Sequence, residues 1–305
     1  MATIRRIGLL SPVRTALMNP FQHRSIVISS TALFVLLWSS GAIFAKWGLE
    51  HSSTLALLIL RFTVALAALL LFGSFRGQML LTLGSRFRVA ITGVLLTGGY
   101  SAFYFLALEQ GVTPGILATI LGTQPILTLL FYERRFDISR LVGLTVALFG
   151  LMLIVLRSVE LERVSSTGTW FALCALFCAT AGAILQKGIK QSPLQVLPLQ
   201  YSSSLLLYLL ISPSMPLRVD FDTAFLLSLL WLGLVISVVA QLLLYQMIRS
   251  GNLVNVSSLF YLVPIVTAAM DFIVFDHRLS PSSIAGMALI MVGLMLVFHK
   301  TKSSA

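Results

Sequence analysis

The chain holds ten apolar runs, at residues 26–45, 54–72, 89–108, 113–132, 138–156, 168–186, 194–211, 224–248, 253–275 and 281–298. A helix rises ~1.5 Å per residue, so ~20 apolar residues cover the ~30 Å hydrocarbon layer of a bilayer. A barrel strand would alternate apolar and polar residues over about ten positions, whereas these runs are apolar on every face. The expected fold class is an all-α integral membrane protein with ten transmembrane helices. Composition supports this: 58% of the 305 residues are apolar and 10% charged, against about 45–50% and about 25% in soluble domains.

The formal net charge of +11 comes from basic residues scattered between the runs, with no stripe that would bind nucleic acid. Cys174 and Cys178 stand one turn apart in an apolar run without a histidine or a second cysteine pair, so they read as packing residues; no metal and no cofactor is expected. The first run is too long for a signal peptide and lacks a clear cleavage site, so it is expected to stay as a span. Fifteen of the basic residues fall in segments on the side of the termini, five on the other side, and Arg61 inside a span. The positive-inside rule then puts both termini in the cytoplasm of a multi-pass inner-membrane protein.

Shifted by roughly 140 residues, the chain matches itself. Ser40 to Lys46 falls on Ala181 to Lys187, Arg61-Phe62 on Gln200-Tyr201, and Ala107 to Gly111 on Met247 to Gly251. Pro125 meets Pro264, Thr128 meets Thr267, and Gly143 and Gly150 meet Gly286 and Gly293. A five-span unit reverses direction at each repetition, so the copies must lie antiparallel, in the inverted-repeat architecture of secondary transporters. The expected divisions are a cytoplasmic segment at 1–25, a first repeat at 26–156, a periplasmic connector at 157–167, a second repeat at 168–299 and a tail at 300–305.

Trp38-Ser39-Ser40-Gly41 through Lys46, Arg61-Phe62, Ala107-Leu108-Glu109-Gln110-Gly111, Gln124-Pro125 followed by Glu133-Arg134-Arg135, and the Gly143/Gly150 pair together resemble the tandem EamA-type permeases of the drug/metabolite transporter superfamily. The second half repeats the pattern more weakly. The resemblance implies a permease that moves a small metabolite or amphipathic compound, more often outward. An uptake permease for amino acids or sugar-related metabolites, or a membrane protein without transport, are the alternatives. Two departures stand out. Pro125 to Glu133 is eight residues where Pro264 to Asp276 is twelve, so the end of the fourth span should be thinned or locally unwound. Gln124 and Val263 stand where many relatives carry an acid before the proline.

Several residues are candidates for the substrate pathway. Arg61 sits within a span, where a bare charge costs at least ~2.5 kcal/mol, so it needs a partner or a wet cavity. It either attracts an anionic group or bonds carbonyls at broken helix ends. Pro125 and Pro264 interrupt helices at matched places, which points to a midplane site. Around them the expected pocket comprises Gln124, Tyr261 and Thr267, with Tyr100, Tyr104, Gln241 and Tyr245 opposite and Trp38 and Ser39 from the first span. Ordinary packing is the alternative for each aromatic. Lys46 and Lys187 end matched spans, as interface anchors or gates. Asp271 is a candidate coupling acid, or an interfacial residue. Gly41 with Ala45, Gly143 with Ala147 and Gly182 with Gln186 permit close helix packing.

No carboxylate pair, nucleophile arrangement or metal cluster falls within the spans, and no phosphate loop occurs, so neither an enzyme nor a self-contained ATP-driven pump is expected. The expected partners are a small-molecule substrate and the lipid bilayer; a homodimer is compatible with the sequence.

Overall fold

The computed structural model describes residues 20–76, 85–133, 137–159, 166–214, 217–275 and 280–299. Ten helical spans follow one another: α1 Pro20–Glu50, α2 Thr54–Arg76, α3 Arg86–Glu109, α4 Pro114–Glu133, α5 Ile138–Val159, α6 Ser166–Lys187, α7 Pro193–Ile211, α8 Thr223–Ser250, α9, and α10 Pro281–His299. The ninth is Leu253–Ser258 and Leu262–Phe275 joined by a tight 3-10 turn, Leu259–Tyr261. Among the described residues nine helices are long and apolar enough to span a bilayer, and α9 contributes the shorter apolar stretch Leu253–Thr267. Large apolar side chains such as Leu71, Phe149, Phe177 and Met295 are more than half exposed. Lipid, not water, is the solvent that suits them.

Helix ends carry local signals. Thr113 caps α4 with Pro114 in its first turn, the Asp222 carboxylate caps α8 at the Phe225 N–H (2.7 Å), and the Asn252 side chain caps α9 at the Asn255 N–H (3.0 Å). Each accepts from one of the N–H groups a helix start leaves unpaired. Gly111 turns the chain between α3 and α4 at φ +84°, a conformation that favours glycine.

The two halves, α1–α5 and α6–α10, are related as inverted repeats. Gly143 and Gly286 are sequence equivalents, as are Gly150 and Gly293. In the structure the pairs cross: a Cβ on Gly143 would meet the Gly293 carbonyl at 2.7 Å, and one on Gly150 would meet the Gly286 carbonyl at 2.6 Å. That exchange is what a two-fold axis between α5 and α10 produces. The same crossing recurs deeper in the bundle. Gly93 in α3 lies against Gln200 of α7, while its equivalent Gly233 in α8 lies against Val64 and the Arg61 carbonyl of α2.

Both α3 and α8 widen into π-helix at matched places, Val94–Gly99 and Trp231–Ala240. Such widening frees carbonyls for side-chain donors, and buried donors fill them. Tyr208 donates to the Gly98 carbonyl (2.7 Å), Tyr201 to that of Ser237, and Ser204 to that of Gly93 (3.2 Å).

α4 is interrupted at Gly122–Thr123 and α9 by its 3-10 turn, each just before Pro125 and Pro264. Proline lacks an N–H and clashes with the carbonyl four residues earlier, which locates both breaks. The end of α4, expected to be thinned or unwound, is instead a π-helical turn, Leu129–Glu133.

Candidate functional site

A cavity of about 190 Å³ lies between the halves, bounded by the broken helices α4 and α9 and by α1, α2, α3 and α8. Seven of the sequence candidates line it: Trp38, Arg61, Tyr100, Tyr104, Gln124, Gln241 and Pro264. Trp38 packs edge-on against Phe260 of α9 with ring centroids 5.4 Å apart, forming an aromatic wall. Gln124 donates to the Ala179 carbonyl (3.4 Å), which fixes its amide at the rim of the α4 break.

Arg61 is the one charged side chain among the described lining residues. Its Nε donates to the Ser237 hydroxyl (2.8 Å), and that hydroxyl donates to the Leu232 carbonyl (2.8 Å) inside the π segment of α8. The guanidinium carbon lies 5.4 Å from the Phe62 ring centre and 6.0 Å from that of Phe105. A guanidinium carries five N–H donors; among the described residues only the Nε donor has a hydrogen-bond partner. The two remaining nitrogens face a cavity with no carboxylate among its described lining residues.

Five candidates lie outside the cavity lining, each for a legible reason. Ser39 is fully buried and donates to the Val35 (2.7 Å) and Val263 (3.3 Å) carbonyls, so it joins α1 to α9. Thr267 donates back to the Ser39 carbonyl (3.5 Å). Tyr261 donates to the Gly122 carbonyl exposed by the break in α4. Tyr245 is fully buried in the core, and Pro125 is buried. The Asp271 side chain lies outside the described residues. Lys46 is exposed. Lys187 closes the end of α8, donating to the carbonyls of Ile248 (2.7 Å), Arg249 (3.3 Å) and Gly251 (2.5 Å), as a cation does at a helix C-terminus.

Two polar ties connect the halves at opposite faces. On the face where α1 begins and α10 ends, Arg140 at the start of α5 pairs with Glu133 at the end of α4. The Arg140 Nη2 also donates to the side-chain oxygens of Asn255 (2.6 Å) and Asn252 (3.2 Å) in α9, and the Asn252 amide donates to Glu133 (2.5 Å). Arg140 is buried, 8% exposed. On the far face, His51 pairs with Asp222 (2.9 Å), and the Ser53 N–H donates to the Arg218 carbonyl (2.9 Å) across an isolated bridge between Ser52 and Val219. Ser237, Asn252 and Asn255 were not sequence candidates. Ser237 had a signal, since it is the repeat equivalent of Thr97 and offers a hydroxyl in an apolar run.

The pattern of the EamA-like transporter family matches residues 25–156 and again 166–299. A probable amino-acid metabolite efflux pump of Salmonella typhimurium is 26% identical over 285 residues, 87% of this chain and 92% of the relative. A pump of the same description from Escherichia coli is 25% identical over the same shares. A solved crystal structure aligns with a TM-score of 0.75 over 90% of this chain and 99% of its own, at 18% identity, and supports the fold.

Proposed function

Because this chain belongs to the EamA-like transporter family, we propose that it exports a small amphipathic metabolite bearing a carboxylate through the central cavity, with both termini in the cytoplasm of the inner membrane. The observation that carries this is the Arg61 guanidinium, the one cation among the described residues of a mostly apolar cavity with aromatic walls. A carboxylate accepts two parallel N–H bonds from such a fork, which orients it as well as binding it. The Trp38 and Phe260 faces, with Tyr100 and Tyr104, take the apolar remainder, and the Gln124 and Gln241 amides offer both donors and acceptors to an amino or hydroxyl group. The relatives' description as amino-acid metabolite efflux pumps agrees with this chemistry. Alternating access follows from the paired halves, which exchange conformations around a site near the axis.

The test has two stages. Growth medium from cells with and without overexpression is compared for compounds that accumulate outside, and each candidate is then loaded into vesicles with purified protein. Release of a carboxylated compound above that from protein-free vesicles is expected. Vesicles that release none of the enriched compounds would remove the reading.

A further inference from the structure

Among the described residues the tie at the face of the termini has no repeat-equivalent counterpart, and the opposite face is held by different groups, His51 with Asp222. It joins α4 and α5 of the first half to α9 of the second, beside Leu253 and Val256, which line that end of the cavity. Inverting the carrier exchanges the roles of the halves. The same contact would then have to form between the start of α4, the end of α9 and the start of α10. At the positions equivalent to Asn252, Asn255 and Arg140, set by the matched helix caps and by Gly143 and Gly286, the chain has Thr113, Ile116 and Ser283. None of the three offers an amide or a guanidinium. A scaffold that is two-fold in its glycines, prolines and π segments is therefore one-sided in this cluster.

We propose that Glu133, Arg140, Asn252 and Asn255 form a one-sided latch, which holds the carrier closed at the face of its termini and makes that its resting access state. The chemistry suits the role. The Arg140–Glu133 pair lies within one half and stays together as the halves move, whereas the two asparagines belong to the other half and carry the bonds that must break. Each is a hydrogen bond to a charged group in a site with little water, the strong class of hydrogen bond. Opening the face strips the asparagines from a pair that water then has to reach. Asn252 does two jobs, since its oxygen also caps α9, so the latch and the helix start are set by one side chain. The proposal rests on the alternating-access reading of the fold and on no property of the transported compound.

The test uses the full chain in lipid nanodiscs, with Cys174→Ser and Cys178→Ser as background and spin labels read by electron paramagnetic resonance. Labels at Ile138→Cys and Ser250→Cys span the latch, and labels at Ser282→Cys, next to the equivalent of Ile138, and at Gln110→Cys, the equivalent of Ser250, span the opposite face; all four positions are exposed. The variant Asn252→Ser/Asn255→Ala cuts the ties between the halves yet keeps a good helix cap, because serine caps about as well as asparagine. It leaves the Arg140–Glu133 pair in place. With the latch intact the pair across it should give one short distance. In the variant a longer distance should gain about tenfold in relative population or more, the change expected from one charge-assisted hydrogen bond, while the opposite pair shortens. Two results overturn the proposal. One is an unchanged distribution across the latch in the folded variant. The other is a lengthening there with no change at the opposite face, which is local loosening and not a change of access. Both readouts need no substrate, so a carrier of some other compound, or of none, is tested as cleanly.

Discussion

Replacing Arg61 by glutamine separates the two roles open to a buried guanidinium. The glutamine amide can still donate to Ser237, so the link from α2 to the π segment of α8 survives. It carries no charge and no fork. A hydrogen bond to a charged group contributes about 1.5–3 kcal/mol, and about 1.4 kcal/mol is a factor of ten. Loss of one such bond should therefore weaken binding of a carboxylated substrate roughly 10- to 150-fold. An amide analogue of the same compound, which gains little from the cation, should lose far less. Stability moves the other way if at all, since an arginine within a span costs at least ~2.5 kcal/mol. Once the transported compound is identified, the assay is inhibition of counterflow in vesicles by the acid and by its amide, in the wild type, Arg61→Gln and Arg61→Lys. Lysine keeps the charge as a point and loses the planar fork, so its preference for the acid should be intermediate. An acid-to-amide preference unchanged in Arg61→Gln would refute the reasoning. So would a fall of melting temperature together with equal losses for both compounds, the mark of a strut between helices.

Gly286→Ala should lower the melting temperature even though alanine is the better helix former by about 1 kcal/mol. Its Cβ would lie 2.5 Å from the Gly150 carbonyl, a backbone atom, so α5 and α10 must part, and overpacking of this kind costs roughly 1–3 kcal/mol; a higher melting temperature would contradict the crossing. The pKa of His51 is raised above the usual 6.5, chiefly by its bond to the Trp47 carbonyl, which outweighs the opposing desolvation, and further by the carboxylates of Asp222, Glu50 and Asp220. A raised folded pKa stabilises fully below the unfolded value and is lost as pH rises through the folded one, so the far-face tie should weaken as pH climbs above the ordinary histidine range. His51→Gln should flatten that part of the stability profile, and an identical pH dependence in the variant would discount the pair. Reporter tags after Ala305 and in the loop before Arg86 should read as cytoplasmic, and tags near Glu160 or Asp220 as periplasmic; one robust inversion would overturn the assigned orientation.

Spans and repeat were legible because each depends on a local property, the length of an apolar run or the order of a few glycines and prolines along it. The crossing of Gly143 with Gly293 was implicit in the odd number of spans per unit. The cavity was legible in part: Arg61, Tyr100, Tyr104, Gln124 and Gln241 come together because they flank the paired helix breaks. Tyr261 and Ser39 instead satisfy carbonyls at helix junctions, and hydropathy does not register a carbonyl that goes unpaired where a helix breaks or widens. The π segments were hidden for the same reason, and with them the Ser237 anchor of Arg61. Arg140 was counted among the basic residues that set orientation, yet it is buried in a pair. The signal that could have exposed it was the failure of the repeat at its equivalent Ser283.

That failure has a wider meaning for how an inverted-repeat carrier acquires a direction. Two identical halves would make the inward-open and outward-open states equal in energy, so any preference must come from residues that break the symmetry. Two of the places where charge breaks it lie at the cavity and at the latch. Arg61 lines the cavity, whereas its equivalent Gln200 is fully buried away from it and donates to Gln186 (2.8 Å), so the cation is offered by one half alone. Arg140 and Glu133 in turn find their amide partners at one face alone. A ligand shifts an equilibrium only by its differential affinity for the two states. A bound carboxylate on Arg61 can therefore drive the cycle only if the site around it changes as the latch opens. The π segment of α8 is the element that joins them: Ser237 within it holds Arg61, and the same helix ends at Ser250, where Lys187 and then Asn252 hold its last turn and the start of α9. One continuous span, α8, thus reaches from the residue that anchors Arg61 to the last turn beside the latch.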